Sequence, residues 1–122
     1  MDKYGNCTFA LRYEYGFVTR DRQSCLSQKM LQRAKEICEN LAPGFDAEVH
    51  GFSGDSRHIR VVVECRPTME ITKFANSIKT VTSRRLRSEF GAERLPTSGL
   101  WANSYMVRTA TAAKQAMEDY LG

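Results

Sequence analysis

Basic side chains are concentrated in one segment of the chain, and the chemistry that such a segment offers is the binding of a polyanion. Six cations fall there with only two carboxylates between them: Lys73, Lys79, Arg84, Arg85, Arg87 and Arg94, against Glu89 and Glu93. Over the whole chain, 18 Lys and Arg residues stand against 14 Asp and Glu residues, which gives a formal net charge of +4. This modest excess permits a nucleic-acid partner without requiring one, and a run of charges is often only a solvated helix face.

A second group of ionisable side chains lies at alternating positions of three extended segments. The pairs are Arg12 with Glu14, Glu48 with His50, and His58 with Arg60. Side chains at i and i+2 project from the same face of a strand, so the members of each pair would stand side by side. The sequence therefore predicts an ionisable cluster on the surface of a sheet, where chemistry is to be sought.

Length and composition exclude several classes of protein. The chain has 122 residues, of which 42% are hydrophobic and 26% charged, so residues 1–122 are expected to form one globular domain. No apolar run exceeds three residues, as in Val61-Val62-Val63, so no membrane span is expected. The N-terminus lacks the apolar core of a signal peptide, and the four cysteines form no CxxC pair. These features predict a cytoplasmic protein with free thiols.

Hydrophobic periodicity predicts four strands and three helices. Alternation of period two predicts strands over 7–19, 45–50, 58–65 and 100–109. A period of 3.6 predicts helices over about 25–41 and 69–90, the second with Thr68 as its N-cap. The turn between the second and third strands is expected at residues 53–56, and Thr111 is expected to cap a short C-terminal helix.

This order of elements predicts an α+β fold with ferredoxin-like β-α-β-β-α-β topology and an added C-terminal helix. Two split βαβ units with right-handed crossovers give an antiparallel four-stranded sheet with its helices on one side. The apolar side of each strand must meet those helices. The ionisable pairs described above then share the open face of the sheet.

Four separated blocks of the sequence match a pattern shared by one protein family. The blocks are residues 17–20 (FVTR), 58–64 (HIRVVVE), 78–90 (IKTVTSRRLRSEF) and 100–107 (LWANSYMV). They occur in the right order and span nearly the whole chain, with 78–90 the most specific. The chain thus resembles the single-tyrosine HUH transposases, the small transposases of bacterial insertion sequences and their relatives, which include the REP-associated tyrosine transposases.

The resemblance implies a function, a cofactor and partners. Members of the family are dimers with a ferredoxin-like sheet. A tyrosine on a C-terminal helix attacks a phosphodiester of single-stranded DNA, forming a 5′-phosphotyrosine and freeing a 3′-hydroxyl. Mg²⁺ or Mn²⁺, held by a His-hydrophobic-His motif and a third ligand one turn after the tyrosine, polarises the phosphate. A phenol with a pKa of about 10 is otherwise a poor nucleophile towards a charged diester.

Carried onto this sequence, the resemblance makes Tyr120 the nucleophile and His58 the first metal ligand. The region that grips a DNA hairpin in the family corresponds to Lys79, Ser83, Arg84, Arg85, Arg87 and Arg94. We therefore expect a DNA transposase, a homodimer in which the tyrosine helix serves the partner's site. On its residues alone, Tyr120 could equally finish packing the final helix beside Ala113, Ala116 and Met117.

The sequence departs from the family pattern at two ligand positions. Arg60 stands where the second histidine is expected, and a guanidinium remains protonated and cannot ligate a metal. The third ligand is expected four residues after Tyr120, beyond Gly122. Three accounts remain open: His50 and Glu48 replace the missing ligands, Arg60 binds the scissile phosphate directly, or nicking has been lost while DNA binding is kept.

Two non-enzymatic classes are the rivals of this hypothesis. One is a decayed or domesticated relative that binds structured DNA or RNA and cuts nothing. The other is a generic ferredoxin-like dimerisation module. RNA binding on the sheet face is disfavoured, because that face carries charges where stacking aromatic rings would be needed.

Overall fold

The computed structural model describes residues 11–91, 93, 95–96 and 98–110 of the protein. The elements in chain order are β1 (Leu11–Val18), α1 (Gln28–Leu41), β2 (Ala47–Gly54), β3 (His58–Cys65), α2 (Ile71–Phe90) and β4 (Met106–Thr109). The four strands form one sheet in the order β2-β3-β1-β4, and every neighbouring pair is antiparallel. The ferredoxin-like α+β fold is therefore confirmed. The expected C-terminal helix lies outside the described residues.

The alternation in β1 separates a buried face of the sheet from an open one, as predicted. Tyr15 and Phe17 are 0% and 1% exposed, whereas Glu14, which precedes Tyr15, belongs to the other face. Several residues of the two helices pack against the buried face: Met30, Ile37 and Cys38 from α1, and Phe74, Ala75, Ile78 and Leu86 from α2. Burial of these apolar side chains holds the helices on one side of the sheet.

Helix α1 begins three residues later than the periodicity predicts. The backbone N–H groups of Cys25 and Leu26 both donate to the carbonyl of Ser56, at 3.0 and 3.1 Å, which ties this stretch to the β2–β3 turn. Ser27 is the N-cap, and its hydroxyl accepts a hydrogen bond from the N–H of Met30 at 3.2 Å. The apolar pattern over residues 25–27 therefore reflects tertiary packing, and these residues are not part of the helix.

The boundaries predicted for β2 are wrong at both ends. Residues Ala42–Phe45 form a 3₁₀ turn, and Asp46 has a left-handed φ of 55°, so the strand starts at Ala47. It continues to Gly54, and the turn occupies residues 55–57. The register shifts between Val49 and Gly51, which leaves His50 in a bulge.

Helix α2 and strand β4 are both shorter than predicted. Glu70, and not Thr68, is the N-cap of α2, and no side chain closes that end of the helix. Regular β4 begins at Met106, and Trp101 makes only an isolated bridge to Thr19. Within the described part of the chain, neither helix is apolar enough over a sufficient length to cross a membrane.

Candidate nucleic-acid interface

A cleft of about 340 Å³ lies between α2 and the segment 99–103, which leads towards β4. Its polar lining consists of Arg20, Lys79, Thr80, Ser83, Arg84 and Asn103. Leu100 and Trp101, both buried, contribute its apolar part. The cleft therefore brings cationic and hydroxyl side chains together above an apolar base.

Trp101 fastens the segment 99–103 to α2. Its indole ring is 4% exposed, and a buried indole N–H requires an acceptor. The Nε1–H donates to the hydroxyl of Thr82 at 2.8 Å, and that hydroxyl donates in turn to the carbonyl of Ile78 at 2.6 Å. One wall of the cleft is thus held in place by a fully satisfied buried chain of hydrogen bonds.

Backbone hydrogen bonds fasten the same segment to the end of β1. The N–H of Arg20 donates to the carbonyl of Leu100 at 2.9 Å, and the N–H of Ala102 donates to the carbonyl of Val18 at 2.8 Å. Gly99 has a φ of +122°, a conformation that other residues rarely adopt. A Cβ at this position would lie 3.7 Å from Arg20 Nη2. That distance is an ordinary van der Waals contact, so the positive φ, and not the space beside Arg20, favours glycine here.

Two cations of the cleft reach the same neutral residue. Lys79 Nζ donates to the Asn103 carbonyl at 3.0 Å, and Arg20 Nη2 donates to Asn103 Oδ1 at 3.2 Å. Burial, and secondly the charge of Arg20, lower the pKa of Lys79. The described residues that line the cleft include no carboxylate. The cleft consequently holds positive charge that its own walls do not compensate.

The structure separates the basic residues that the sequence grouped together. Lys79, Ser83 and Arg84 line the cleft, whereas Arg87 Nη2 donates to the Pro96 carbonyl at 2.7 Å and so holds a loop. Arg85 lies near Glu89, whose pKa is lowered first by Arg33 and more weakly by Arg85. Arg94 lies outside the described residues.

Arg20 is the member of this site that the sequence analysis missed. It follows β1 in a polar turn, where no periodicity indicates its neighbours, and its contact with Asn103 spans 83 positions. The available signal was its place in the block 17–20, which belongs to the family resemblance. A cationic residue at the end of such a block is a candidate binding residue, because packing does not require a charge there.

His58 lies at the same end of the sheet as the cleft. It is the first residue of β3 and pairs with Val18 in the register of β1 and β3, two residues before Arg20. Asp55 Oδ1 accepts hydrogen bonds from the backbone N–H groups of Arg57 and His58, at 2.8 and 3.1 Å. The same oxygen lies 2.9 Å from His58 Nδ1, which leaves Nε2 as the nitrogen turned away from it. The backbone bond from Arg57 is the largest cause that lowers the pKa of Asp55.

Arg60 lies on the open face of the sheet, where it shares one carboxylate with Arg108. Glu14 accepts a hydrogen bond from Arg60 Nη2 and another from Arg108 Nε at 2.6 Å. The hydrogen bond from Arg108 is the largest cause that lowers the pKa of Glu14. The Glu14 side chain is only 14% exposed, so this carboxylate sits between its two arginines.

His50 and Glu48 lie together on the open face, but at the other end of β3 from His58. His50 Nε2 is 2.9 Å from Glu48 Oε1 and 3.7 Å from Glu64 Oε1. Glu48 pairs with Glu64 of β3. Glu64 lies six residues along that strand from His58, which corresponds to roughly 20 Å. The structure therefore does not bring the suggested substitute ligands to His58.

The described residues do not fit a divalent metal at the position that the resemblance implies. His58 contributes one imidazole, and the side chain two residues on is the paired guanidinium of Arg60. Nowhere in the described ranges do three His, Cys, Asp or Glu side chains come together as a possible ligand set. Tyr120, the expected nucleophile, lies outside the described residues.

Fold and site together define a class: a ferredoxin-like domain with an uncompensated cationic cleft at one end of its sheet. The family model described as "Transposase IS200 like" matches residues 7–121. The chain belongs to this transposase family, and the resemblance drawn from the sequence is confirmed. No curated protein matches the sequence significantly.

Two solved structures share the fold along nearly the whole chain. A candidate transposase from Deinococcus radiodurans R1 superposes with a TM-score of 0.79 at 22% identity, covering 99% of this chain and 95% of that one. A REP-associated tyrosine transposase bound to a REP hairpin superposes with a TM-score of 0.64 at 11% identity, covering 98% of this chain and 68% of the other. At these identities the likeness establishes the fold.

Proposed function

We propose that this protein is a DNA transposase that binds a hairpin of single-stranded DNA and cleaves and rejoins it through Tyr120. The observation that carries the proposal is the position of the cationic cleft at the same end of the sheet as His58. Membership of the transposase family and the hairpin bound to a structural neighbour support it. The cleft would hold the DNA backbone close to the motif that carries His58.

The proposed reaction conserves the energy of the phosphodiester bond. The phenol oxygen of Tyr120 loses its proton and bonds to phosphorus, while the bond from phosphorus to the 3′ oxygen breaks. That oxygen takes up a proton and leaves as a 3′-hydroxyl, and the 5′-phosphate stays on the tyrosine. A 3′-hydroxyl can reverse the same step, which rejoins the strands.

The phosphate contacts of this proposal are assigned to the cleft and not to Arg60. Glu14 compensates the charge of Arg60, whereas the charges of Arg20 and Lys79 have no carboxylate beside them among the described lining residues. His58 is oriented by Asp55 and keeps its Nε2 side for a ligand or substrate. The homodimer belongs to the proposal as well, and sedimentation equilibrium tests it directly.

A covalent trapping experiment tests the nucleophile. The protein is incubated with hairpin-bearing single-stranded DNA in Mn²⁺, Mg²⁺ or chelator, and a denaturing gel reveals any protein–DNA adduct. We expect an adduct from the natural protein and none from Tyr120→Phe. The matched control is Tyr105→Phe. It keeps the aromatic ring, whose centroid lies 5.8 Å from that of Phe17, and it should retain the adduct. An adduct that survives Tyr120→Phe would show that another residue attacks.

The second candidate function is a catalytically decayed relative that only binds structured nucleic acid. Arg60 at the second histidine position is the observation that favours it, because a guanidinium cannot ligate a metal. This alternative predicts tight hairpin binding with no adduct in any of the three metal conditions. Failure to bind hairpin DNA even at low salt would contradict both functions.

A further inference from the structure

We infer that the cleft between α2 and the segment 99–103 is a binding site for one phosphate group, with Arg20 as its principal ligand and Lys79 and Arg84 beside it. The site is defined by the described contacts of these side chains. Its assignment to a phosphate of the DNA rests on the proposed function. The site itself would persist with another phosphate-bearing ligand.

The charge balance of the cleft is the first argument for an anion. Cationic side chains that are drawn close together and partly removed from water repel one another, unless an anion lies between them. Other partly buried arginines contact carboxylates: Arg12 contacts Glu64 at 3.1 Å, and Arg33 contacts Glu89 at 2.8 Å. In the cleft, Arg20 and Lys79 meet only the neutral oxygens of Asn103. A phosphate would supply the missing negative charge.

The hydrogen bonds of Arg20 are the second argument, and they are independent of the first. Its Nη2 donates to Asn103 Oδ1 at 3.2 Å, in an exposed contact that a rotation of the side chain can release. Its Nε is buried and has no hydrogen-bond partner, the only side-chain nitrogen or oxygen in this condition among the described residues. A buried donor without an acceptor is destabilising, because it has lost its hydrogen bond to water and gained none in return. A phosphate can accept from Nε–H and a terminal N–H together after a small rotation of the side chain.

The remaining lining of the cleft suits a tetrahedral oxyanion. Thr80 and Ser83 bring hydroxyl groups from α2, and each hydroxyl can donate to a phosphate oxygen. Leu100 and Trp101 are buried and form the apolar base of the cleft, beneath the cationic and hydroxyl groups. Because hydrogen bonds of Trp101 and of the Arg20 backbone fix both walls, the backbone that carries the ligands is positioned before the anion arrives.

Titration with inorganic phosphate, followed by calorimetry or by NMR shifts of the α2 amides, tests the site without DNA. We expect phosphate to bind the natural protein and to bind Arg20→Gln at least tenfold more weakly, with Arg20→Lys in between. Arg22→Gln is the matched control, since Arg22 is an exposed arginine of the same turn and does not line the cleft. Lys79→Gln provides a second variant if Arg20→Gln is poorly folded. Equal binding by Arg20→Gln and Arg22→Gln would overturn the inference.

Single methylphosphonate substitutions in a hairpin oligonucleotide identify the source of the phosphate. One neutralised internal position is expected to weaken binding by the natural protein and to have no further effect on Arg20→Gln. If the site instead takes a terminal phosphomonoester, a 5′-phosphate should strengthen binding by the natural protein alone. Full hairpin affinity in Arg20→Gln would overturn the inference and leave the proposed function intact. Arg20-dependent phosphate binding without hairpin binding would support the site and contradict the proposed function.

Discussion

The open face of the sheet and the cleft at its end carry the same kinds of charged residue in opposite states. On the open face, Glu14 lies between Arg60 and Arg108, and Arg12 contacts Glu64. In the cleft, Arg20 and Lys79 converge on one neutral asparagine. On the first surface each of these arginines contacts a carboxylate, whereas in the cleft Arg20 and Lys79 contact none among the described lining residues.

This difference shows that the density of charge along the sequence locates the cationic cleft only in part, because Lys79 and Arg84 of the basic segment line it and Arg87 does not. Arg60 matches a ligand position of the family, yet Glu14 compensates its charge. Arg20 lies outside the basic segment 73–94, yet its Nε is the buried donor that lacks a partner among the described residues. The pairing of charges, and not their number, separates a structural surface from a candidate binding surface.

The largest expected effect comes from removing the wall of the cleft. Trp101→Ala should lower the free energy of unfolding by about 3–5 kcal/mol, because a buried aromatic ring and its packing are lost. Hairpin binding should be lost with it. Trp101→Phe is the control, and it should cost less, about 2 kcal/mol, because the hydrogen bond to Thr82 and part of the ring are removed while most of the packing stays. Urea denaturation measures both values, and undiminished hairpin affinity in folded Trp101→Ala would break the comparison.

Two adjacent arginines of α2 give a sharper test of the cleft itself. Arg84 lines the cleft and Arg85 lies near Glu89 on the neighbouring side of the helix. Arg84→Gln should weaken hairpin binding several-fold and reduce the salt slope of the affinity by about one. Arg85→Gln should leave both nearly unchanged, as fluorescence anisotropy can show. Equal losses would mean that α2 acts as a diffuse basic face.

The smallest expected effect concerns the open face. Glu14→Gln should cost about 1 kcal/mol of stability at neutral pH, since a carboxylate between two arginines is lost. The pKa of Glu14 in the folded protein lies below its ordinary value near 4.5, so this stabilisation is complete above that pH. It should disappear as the pH falls through the lower, folded value. Denaturation of both proteins at several pH values should therefore show curves that converge in acid.

The same substitution also tests the DNA side of the comparison. Glu14→Gln frees Arg60 and Arg108, so the open face should gain attraction for a polyanion and hairpin affinity should rise at low salt. Unchanged affinity would show that the two arginines are compensated by other means.

The fold was predictable from the sequence because its signals are local. The alternation of Tyr15 and Phe17 with polar residues, and the 3.6 period of α1 and α2, each report a face within one element. Boundaries failed where a distant contact decided them. A hydrogen bond to Ser56 keeps Cys25 out of α1, and a hydrogen bond to Thr82 keeps Trp101 out of β4.

The site was only partly predictable, because pairing is not local. Lys79, Ser83 and Arg84 were found through the family resemblance. Arg20 meets Asn103 across 83 positions, and Arg108 meets Glu14 across 94. No pattern within a segment reveals such partners, and only the folded chain separates compensated from uncompensated charges.

The most direct test of the central claim compares two double variants that lose the same charge. The first double variant, Arg20→Gln with Lys79→Gln, removes two cations from the cleft. The second, Arg12→Gln with Arg108→Gln, removes two cations from the open face. Each pair lowers the formal net charge of +4 by two. The measurement is the slope of hairpin affinity against salt concentration for each pair and for the natural protein. The cleft pair should bind far more weakly with a slope reduced by about two, and the open-face pair should match the natural protein. Equal slopes for the two pairs would contradict the claim that the cleft is the DNA-binding surface.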